Sequence, residues 1–343
     1  MPRFIRICAV LIVVCFAATG KAQDFETVKL AAEKGDAEAQ YNLGEMHRTG
    51  QNAEQNDEEA LKWFRKAAEQ GDLRAQNTLG WMYDNGRGVA KDYTEAVKWY
   101  RIAAEQGHAK AQYNLGLMYA NGKGVDKNYA ETLKWCKLAA EQGFAMAQRN
   151  LGNMHLNGRG VDQNDAEALK WYKLAAEKGD AKAQYGLGWM YDKGRGVDQN
   201  FTEAIKWYRQ AAEQGDEQAQ SNLGNMYVNG TGVDRNDAEA VKWYKLAAEK
   251  ENAQAQYNLG LMYENGRGVA KNDAEAVKWY KLAAEQEFAQ AQNNLGNMYI
   301  TGRGVVKNDA EAVKWYKLAA EHGSTEAQRM LEILKMQGGF PLD

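Results

Sequence analysis

Few side chains in this sequence have the types and spacing that catalysis or metal binding requires. The four histidines are widely separated, and none belongs to a ligand pair such as HExxH. They are His47, His108, His155 and His322. A reactive thiol needs a neighbouring base in an electropositive niche, whereas Cys136 stands where other copies of the same segment carry Tyr or Phe. We therefore predict no catalytic residues, no metal ligands and no cofactor, and interpret Cys136 as a small apolar substitution.

A Gly-Arg-Gly tripeptide occurs five times and superficially resembles part of a phosphate-binding loop. Such loops follow a strand and direct further glycines at a helix N-terminus. Here each tripeptide links two predicted helices, so we interpret it as a structural turn. The five copies lie at 86–88, 158–160, 194–196, 266–268 and 302–304.

The first 22 residues have the order of a secretory signal peptide. Arg3 and Arg6 precede an apolar run over residues 7–18, which is too short to span a membrane. Small residues at Gly20 and Ala22 predict cleavage near Ala22, and hence a periplasmic or secreted protein without a transmembrane span. Cys8 and Cys15 leave with the leader, so the mature chain keeps one cysteine and forms no internal disulfide.

Charge argues against a nucleic-acid partner. The formal net charge is −3, and removing residues 1–22 takes away three cations and no acid, which leaves −6. A nucleic-acid-binding protein needs a basic stripe to replace phosphate counterions.

The rest of the sequence repeats with a period of 36 residues and no insertion. We predict a capping helix in residues 23–36 before the array, and a capping helix with a tail in residues 325–343 after it. The eight repeats, with positions numbered 1 to 36 in each, are 37–72, 73–108, 109–144, 145–180, 181–216, 217–252, 253–288 and 289–324.

Each repeat predicts two helices joined by a glycine turn. Positions 1–13 place apolar residues on one helical face and a glycine at position 8, whose cost of about 1 kcal/mol against alanine implies close packing. Position 14 is always Gly, as at a left-handed helix end. Asn or Asp at position 20 with Glu at position 23 predicts a reciprocal capping box for the second helix. Glycine closes that helix at position 35, except at Glu251 and Glu287.

The pattern AxAQxxLGxMYxxGxGVxxNxxEAxKWYKLAAEQG resembles the Sel-one-like repeat (SLR), a relative of the tetratricopeptide repeat. The resemblance covers residues 24–337. We predict an all-α fold, a right-handed α/α superhelical solenoid of eight helix-turn-helix repeats with half-repeat caps. The resemblance implies an adaptor that holds other proteins, and a concave groove lined by the first helices.

Positions 5, 9 and 12 vary between repeats and lie opposite the core stripe of the first helix. Aromatic and aliphatic residues on an exposed face are typical of a partner site, so we predict that these positions bind the partner and contribute little to folding. The predicted groove residues are Tyr41, Trp81, Tyr113, Leu117, Asn153, Leu156, Tyr185, Trp189, Asn225, Val228, Tyr257, Leu261, Asn297 and Ile300. Asn at position 6 is expected to bind a neighbouring helix.

The sequence therefore predicts an exported, monomeric protein–protein interaction scaffold that binds a protein or peptide in its concave groove and is not an enzyme. Two alternatives stay open. One is a penicillin-interacting, β-lactamase-like enzyme, which cysteine-rich relatives suggest, although this chain lacks their paired cysteines and any Ser-x-x-Lys motif. The other is an envelope glycan-binding module that uses the groove tyrosines and tryptophans.

Overall fold

Every regular element in the described part of the chain is an α-helix. The computed structural model describes residues 24–336, so the predicted signal peptide and residues 337–343 lie outside it. The described residues form two compact units, which meet in sequence between Gln106 and Gly107. In each unit, every helix packs against the helices that precede and follow it. The predicted all-α solenoid is confirmed.

The helices follow the 36-residue period. The N-terminal unit contains α1 (Phe25–Glu33), α2 (Ala37–Thr49), α3 (Asp57–Glu69), α4 (Leu73–Asn85) and α5 (Tyr93–Glu105). The C-terminal unit contains α6 (Ala109–Asn121), α7 (Tyr129–Glu141), α8 (Ala145–Asn157), α9 (Asp165–Glu177), α10 (Ala181–Lys193), α11 (Phe201–Glu213), α12 (Glu217–Asn229), α13 (Asp237–Ala248), α14 (Ala253–Asn265), α15 (Asp273–Glu285), α16 (Ala289–Thr301), α17 (Asp309–Glu321) and α18 (Thr325–Met336).

Local sequence signals set the helix ends. The first helix of repeat 5 begins where Asp180 accepts a hydrogen bond from the Ala183 N–H at 2.8 Å. It ends at Gly194, whose φ of 65° is left-handed, as it is for every glycine at position 14. The same geometry occurs at Glu251 and Glu287, both with φ of 64°, where a side chain occupies a conformation that favours glycine.

The predicted capping box forms only by half. The Asn200 carboxamide accepts from the Glu203 N–H at 3.1 Å, but the N–H of Asn200 donates to the Tyr191 carbonyl at 2.9 Å. The glycine turn brings that carbonyl to the cap, so the glutamate is not needed there. It forms an ion pair with the lysine three residues later instead, as Glu59 does with Lys62 at 2.6 Å. The prediction that this glutamate accepts a reciprocal bond from the N–H of the cap residue was wrong.

The glycine at position 8 has the packing role that its cost implied. A Cβ atom on Gly224 would lie 2.5 Å from the Tyr244 ring, and one on Gly188 would lie 2.8 Å from the Tyr208 ring. Only glycine lets the aromatic ring at position 28 of the second helix lie directly on the first helix.

A buried glutamine at position 4 joins consecutive repeats. In repeat 5, Gln184 Nε2 donates to the Ala176 carbonyl of repeat 4 at 3.1 Å, and Gln184 Oε1 accepts from Gln214 at 2.7 Å. This side chain is 4% exposed, so its hydrogen bonds form away from competing water. The bond to the preceding repeat recurs from Gln40 onward in both units.

The Gly-Arg-Gly turns are structural, as predicted. Arg195 of repeat 5 pairs with Asp165 at the start of the second helix of repeat 4, with 2.6 Å between Nε and Oδ2. A Cβ on Gly196 would lie 2.5 Å from the Asp165 carbonyl oxygen, so the turn packs backbone against backbone. Arg267 and Asp237 repeat the ion pair at 2.8 Å.

Candidate functional site

The predicted groove residues differ in how much of each side chain is accessible. Trp81 and Asn153 are exposed, and most of the others are half-buried. Tyr113 is only 8% exposed, because it packs on Phe144 with 5.3 Å between the ring centroids. The prediction that Tyr113 lines an open groove is therefore wrong. The half-buried members are Tyr41, Leu117, Leu156, Tyr185, Trp189, Asn225, Val228, Tyr257, Leu261, Asn297 and Ile300.

The tyrosines at position 5 also reach the core. The rings of Tyr185 and Tyr208 are 5.8 Å apart, and the same separation holds for Tyr257 and Tyr280. Helical spacing alone placed position 5 opposite the core stripe, but a tyrosine is long enough to extend from the first helix to the second. The expectation that these residues lie off the core is corrected.

A cavity of about 660 Å³ opens between α8, α10 and α12 in the C-terminal unit. Leu156, Tyr185 and Trp189 form part of its wall, together with Asn153. Two side chains of opposite charge, Lys182 and Glu217, also line the cavity. Five of the predicted groove residues line this cavity or its neighbour, and they come from three consecutive repeats: Asn153, Leu156, Tyr185, Trp189 and Asn225.

A second cavity of about 330 Å³ shares Tyr185 and Trp189 with the first. Its lining includes the fully buried Tyr208, whose hydroxyl has no hydrogen-bond partner of good geometry. Burial and nearby Asp192 raise the pKa of this hydroxyl, and their effect outweighs the lowering by nearby Asn222. Such a hydroxyl is costly to bury. Tyr185 and Trp189 are thus the side chains that line both cavities.

One of the four charged side chains that line the first cavity has an ion-pair partner. Arg149 pairs with Asp180 at 3.0 Å, with 19% and 9% of the two side chains exposed. Burial raises the pKa of Asp216 above its usual range. The Arg195 guanidinium lies 5.7 Å from the centroid of the Trp189 ring and so occupies one face of that indole.

Two junctions between repeats show the polar part of this surface. In the junction of repeats 6 and 7, Asn225 Oδ1 accepts from the Tyr244 hydroxyl at 2.7 Å and from Asn258 Nδ2 at 3.0 Å. In the junction of repeats 4 and 5, the equivalent Asn153 Oδ1 accepts from the Tyr172 hydroxyl. Position 6 of repeat 5 is Gly186, so the second donor does not exist there.

Gly186, Arg149, Lys182 and Asp216 line the first cavity and were missed from the sequence. A signal for Gly186 was present, because position 6 is Asn in six of the eight repeats and Thr in a seventh. Arg149 lies at position 5, one of the predicted partner positions, although it was not chosen there. Lys182 and Asp216 lie at positions 2 and 36, whose residue types vary and whose spacing predicts no shared cavity.

The residues considered for catalysis have structural surroundings. Cys136 is fully buried, and burial raises the pKa of its thiol to about 12. His108 caps α6 by accepting from the Ala111 N–H at 3.2 Å. Across residues 24–336, no group of three or more His, Cys, Asp and Glu side chains is placed to hold a metal ion. None of the helices in that range is long and apolar enough to cross a bilayer.

The Sel1 repeat family model matches eight consecutive segments of the chain, which together run from residue 37 to residue 324. This chain belongs to the Sel1 repeat family. A protective antigen with an SLR fold from uropathogenic Escherichia coli is 39% identical, with a TM-score of 0.85 over 93% of this chain and 68% of that one. A Sel1 repeat protein from Oxalobacter formigenes is 36% identical, with a TM-score of 0.68 over 90% of each chain.

A curated relative matches a much shorter segment of this chain than the two solved structures do. The sel1-like repeat-containing protein L18 of Acanthamoeba polyphaga mimivirus is 51% identical over 41 residues, which are 12% of this chain. The matched segment spans only 7% of the length of that relative. This similarity is therefore a similarity of about one repeat.

Proposed function

We propose that this Sel1 repeat protein is an exported, non-enzymatic scaffold that binds a partner protein through the first helices of its repeats. Sel1 repeat proteins are protein-interaction scaffolds. The observation that carries the proposal is the pair of cavities around Tyr185 and Trp189. Aromatic side chains in pockets commonly dominate the energy of protein interfaces.

Export is part of the proposal and rests on the order of residues 1–22, which is basic, then apolar, then small. We expect intact-mass analysis of the protein expressed from its full sequence to show an N-terminus near Gln23 and recovery outside the cytoplasm. A cytoplasmic product that begins at Met1 would contradict export and leave the binding proposal standing.

The glycan-binding alternative is disfavoured by the environment of the groove tryptophans. Sugars stack on free aromatic faces, and one face of each indole is taken by a cation. Arg195 lies over Trp189, and Arg48 lies 5.9 Å from the ring centroid of Trp81. The penicillin-interacting alternative has no support from Cys136, whose thiol is buried and protonated at neutral pH.

The binding proposal is tested by capture of envelope proteins on immobilised residues 23–343. We expect the immobilised chain to capture at least one protein, and we expect the same chain added free in solution to displace it. Lys182→Glu changes the charge at the cavity and should weaken its capture, whereas Lys173→Glu makes the same charge change on the exposed side of α9 and should not. A partner that is lost only with Lys173→Glu would place binding on the second helices. Hydrolysis of a chromogenic β-lactam by the parent would contradict the non-enzymatic part.

A further inference from the structure

The junction of repeats 4 and 5 lacks one side chain that the repeat pattern supplies elsewhere. In the junction of repeats 6 and 7, the Asn258 carboxamide fills the space beside Asn225 and donates to its Oδ1. Gly186 has no side chain to fill the equivalent space, and the cavity of about 660 Å³ lies beside it, next to the Tyr172 ring. Asn153 is exposed where Asn225 is half-buried. The missing carboxamide therefore leaves an acceptor open to an incoming group.

The group that fits this acceptor is an N–H donor of the amide type, since a carboxamide N–H occupies the equivalent place at Asn225. Beside the acceptor, Leu156 and Trp189 provide an apolar wall. The volume is within the range of about 300–1,000 Å³ that ligand pockets commonly have. An amide donor next to an apolar group is the chemistry of a polypeptide segment.

We propose that the cavity beside Gly186 is a peptide-binding site. An amide N–H of a partner segment donates to Asn153 Oδ1, in the place that Asn258 takes at the other junction. An apolar side chain of the same segment packs between Leu156 and Trp189. This inference rests on the proposed scaffold function and locates its main site.

Gly186→Asn tests the site by restoring the side chain that the repeat pattern has at this position. A Cβ at Gly186 would lie 3.1 Å from the Tyr172 ring, so the ring needs to move by only a few tenths of an ångström. The new carboxamide should occupy the cavity and bind Asn153 itself. Asn153→Leu is a second variant that removes the acceptor and keeps the shape of the side chain.

Asn265→Leu is the matched control, because it makes the same substitution at an exposed position at the end of α14 that lines neither cavity. The probe is a fluorescein-labelled peptide selected on residues 23–343 from a displayed library of random dodecapeptides. We expect the Kd to rise at least about tenfold in Gly186→Asn and in Asn153→Leu, and to stay within about twofold in Asn265→Leu. Circular dichroism and urea unfolding verify that each variant is folded, and Asn153→Leu decides the matter should Gly186→Asn fail to fold.

Four results would overturn the assignment. One is equal affinity of the selected peptide for the parent and the folded variants, and another is a selection that enriches no binding peptide. A third is binding of N-acetylchitotetraose that Gly186→Asn abolishes, because this would give the cavity to a glycan. Capture of the same envelope partner by the parent and by Gly186→Asn would overturn the site while the scaffold function stands. Failure of the parent to capture any protein would instead count against the scaffold function.

Discussion

The junctions of repeats 4–5 and 6–7 share a fold and differ in the polar contact made by the asparagine at position 9. Both place an asparagine at position 9 next to a tyrosine hydroxyl from the second helix. Only the second junction adds a carboxamide from the next repeat, Asn258, where the first has Gly186. The polar contact between repeats is closed in one junction and open in the other.

This difference shows how a repeat protein can acquire a site without changing its core. The packing residues of both junctions are equivalent, because Tyr172 and Tyr244 both lie on a position-8 glycine. Removing one side chain at the edge of the core changes the backbone geometry little, and it exposes an acceptor together with an apolar wall. In a stack where each repeat contacts only its neighbours, such a change stays local.

The largest effect on stability is expected at the aromatic side chains of the open junction. Tyr185→Ala with Trp189→Ala should cost about 2–4 kcal/mol, less than the roughly 3–5 kcal/mol of a fully buried aromatic residue, since both are half-buried and packed on core clusters. The equivalent pair Tyr257→Ala with Leu261→Ala should cost a similar amount. Urea unfolding measures both. A loss below about 1 kcal/mol in either pair would restore the simpler view that position 5 is surface.

A second comparison concerns the glycines beneath the two tyrosines. A Cβ on Gly224 would lie 2.5 Å from the Tyr244 ring, whereas a Cβ on Gly152 would lie 3.1 Å from the Tyr172 ring. We expect Gly224→Ala to lower stability by about 1–2 kcal/mol after the gain in helix propensity, and Gly152→Ala to be close to neutral. The Tyr172 ring can shift toward the cavity. Equal losses in the two variants would show that the open junction is as tightly packed as the closed one.

The turns that lead into repeats 5 and 7 give a third comparison. Gly179 and Glu251 occupy the same repeat position with φ of 85° and 64°, and only glycine adopts this region without strain. Glu251→Gly should raise stability by about 1 kcal/mol, and Glu287→Gly, also at 64°, should do the same. Gly179→Glu should lower it by about as much. The urea midpoint provides the measurement, and a midpoint lowered by both glycine substitutions would show that these glutamates make compensating contacts.

The fold was predictable from the sequence because the same signals occur eight times. Helix caps, left-handed glycines and the position-8 glycine all act within one repeat or between adjacent helices, where spacing determines contact. The reciprocal role of Glu203 was not predictable, since the N–H of Asn200 is taken by a carbonyl that the turn brings in.

The candidate site was predictable only in outline. Tyr185 and Trp189 were placed on one helical face and do line the cavities. Tyr113 was placed on the same kind of face but is buried, because a neighbouring Phe144 covers it and periodicity does not show which ring lies above. Gly186 required a comparison between repeats at a position that was assigned to packing.

The smallest expected effect compares the ion pairs that join the same two junctions. A hydrogen bond from Arg195 holds the pKa of Asp165 below its usual range, and hydrogen bonds from Arg267 and Arg235 lower the pKa of Asp237 further. A carboxylate whose pKa falls on folding stabilises the folded state above its unfolded pKa of about 3.9, and this stabilisation disappears as the pH falls through the folded value. Because these pairs are near the surface, each should be worth less than about 1 kcal/mol.

Asp165→Asn and Asp237→Asn isolate these contributions, because each keeps the size of the side chain. Unfolding by urea at a series of pH values should show a larger loss for Asp237→Asn at pH 7, since two arginines lose their partner there. Both losses should shrink below about pH 4, and that of Asp237→Asn should persist to lower pH. High salt should reduce both losses, because exposed charges are screened. Losses that are equal and independent of pH would mean that the two aspartates act through helix capping, and the closed junction would then owe its difference to Asn258 alone.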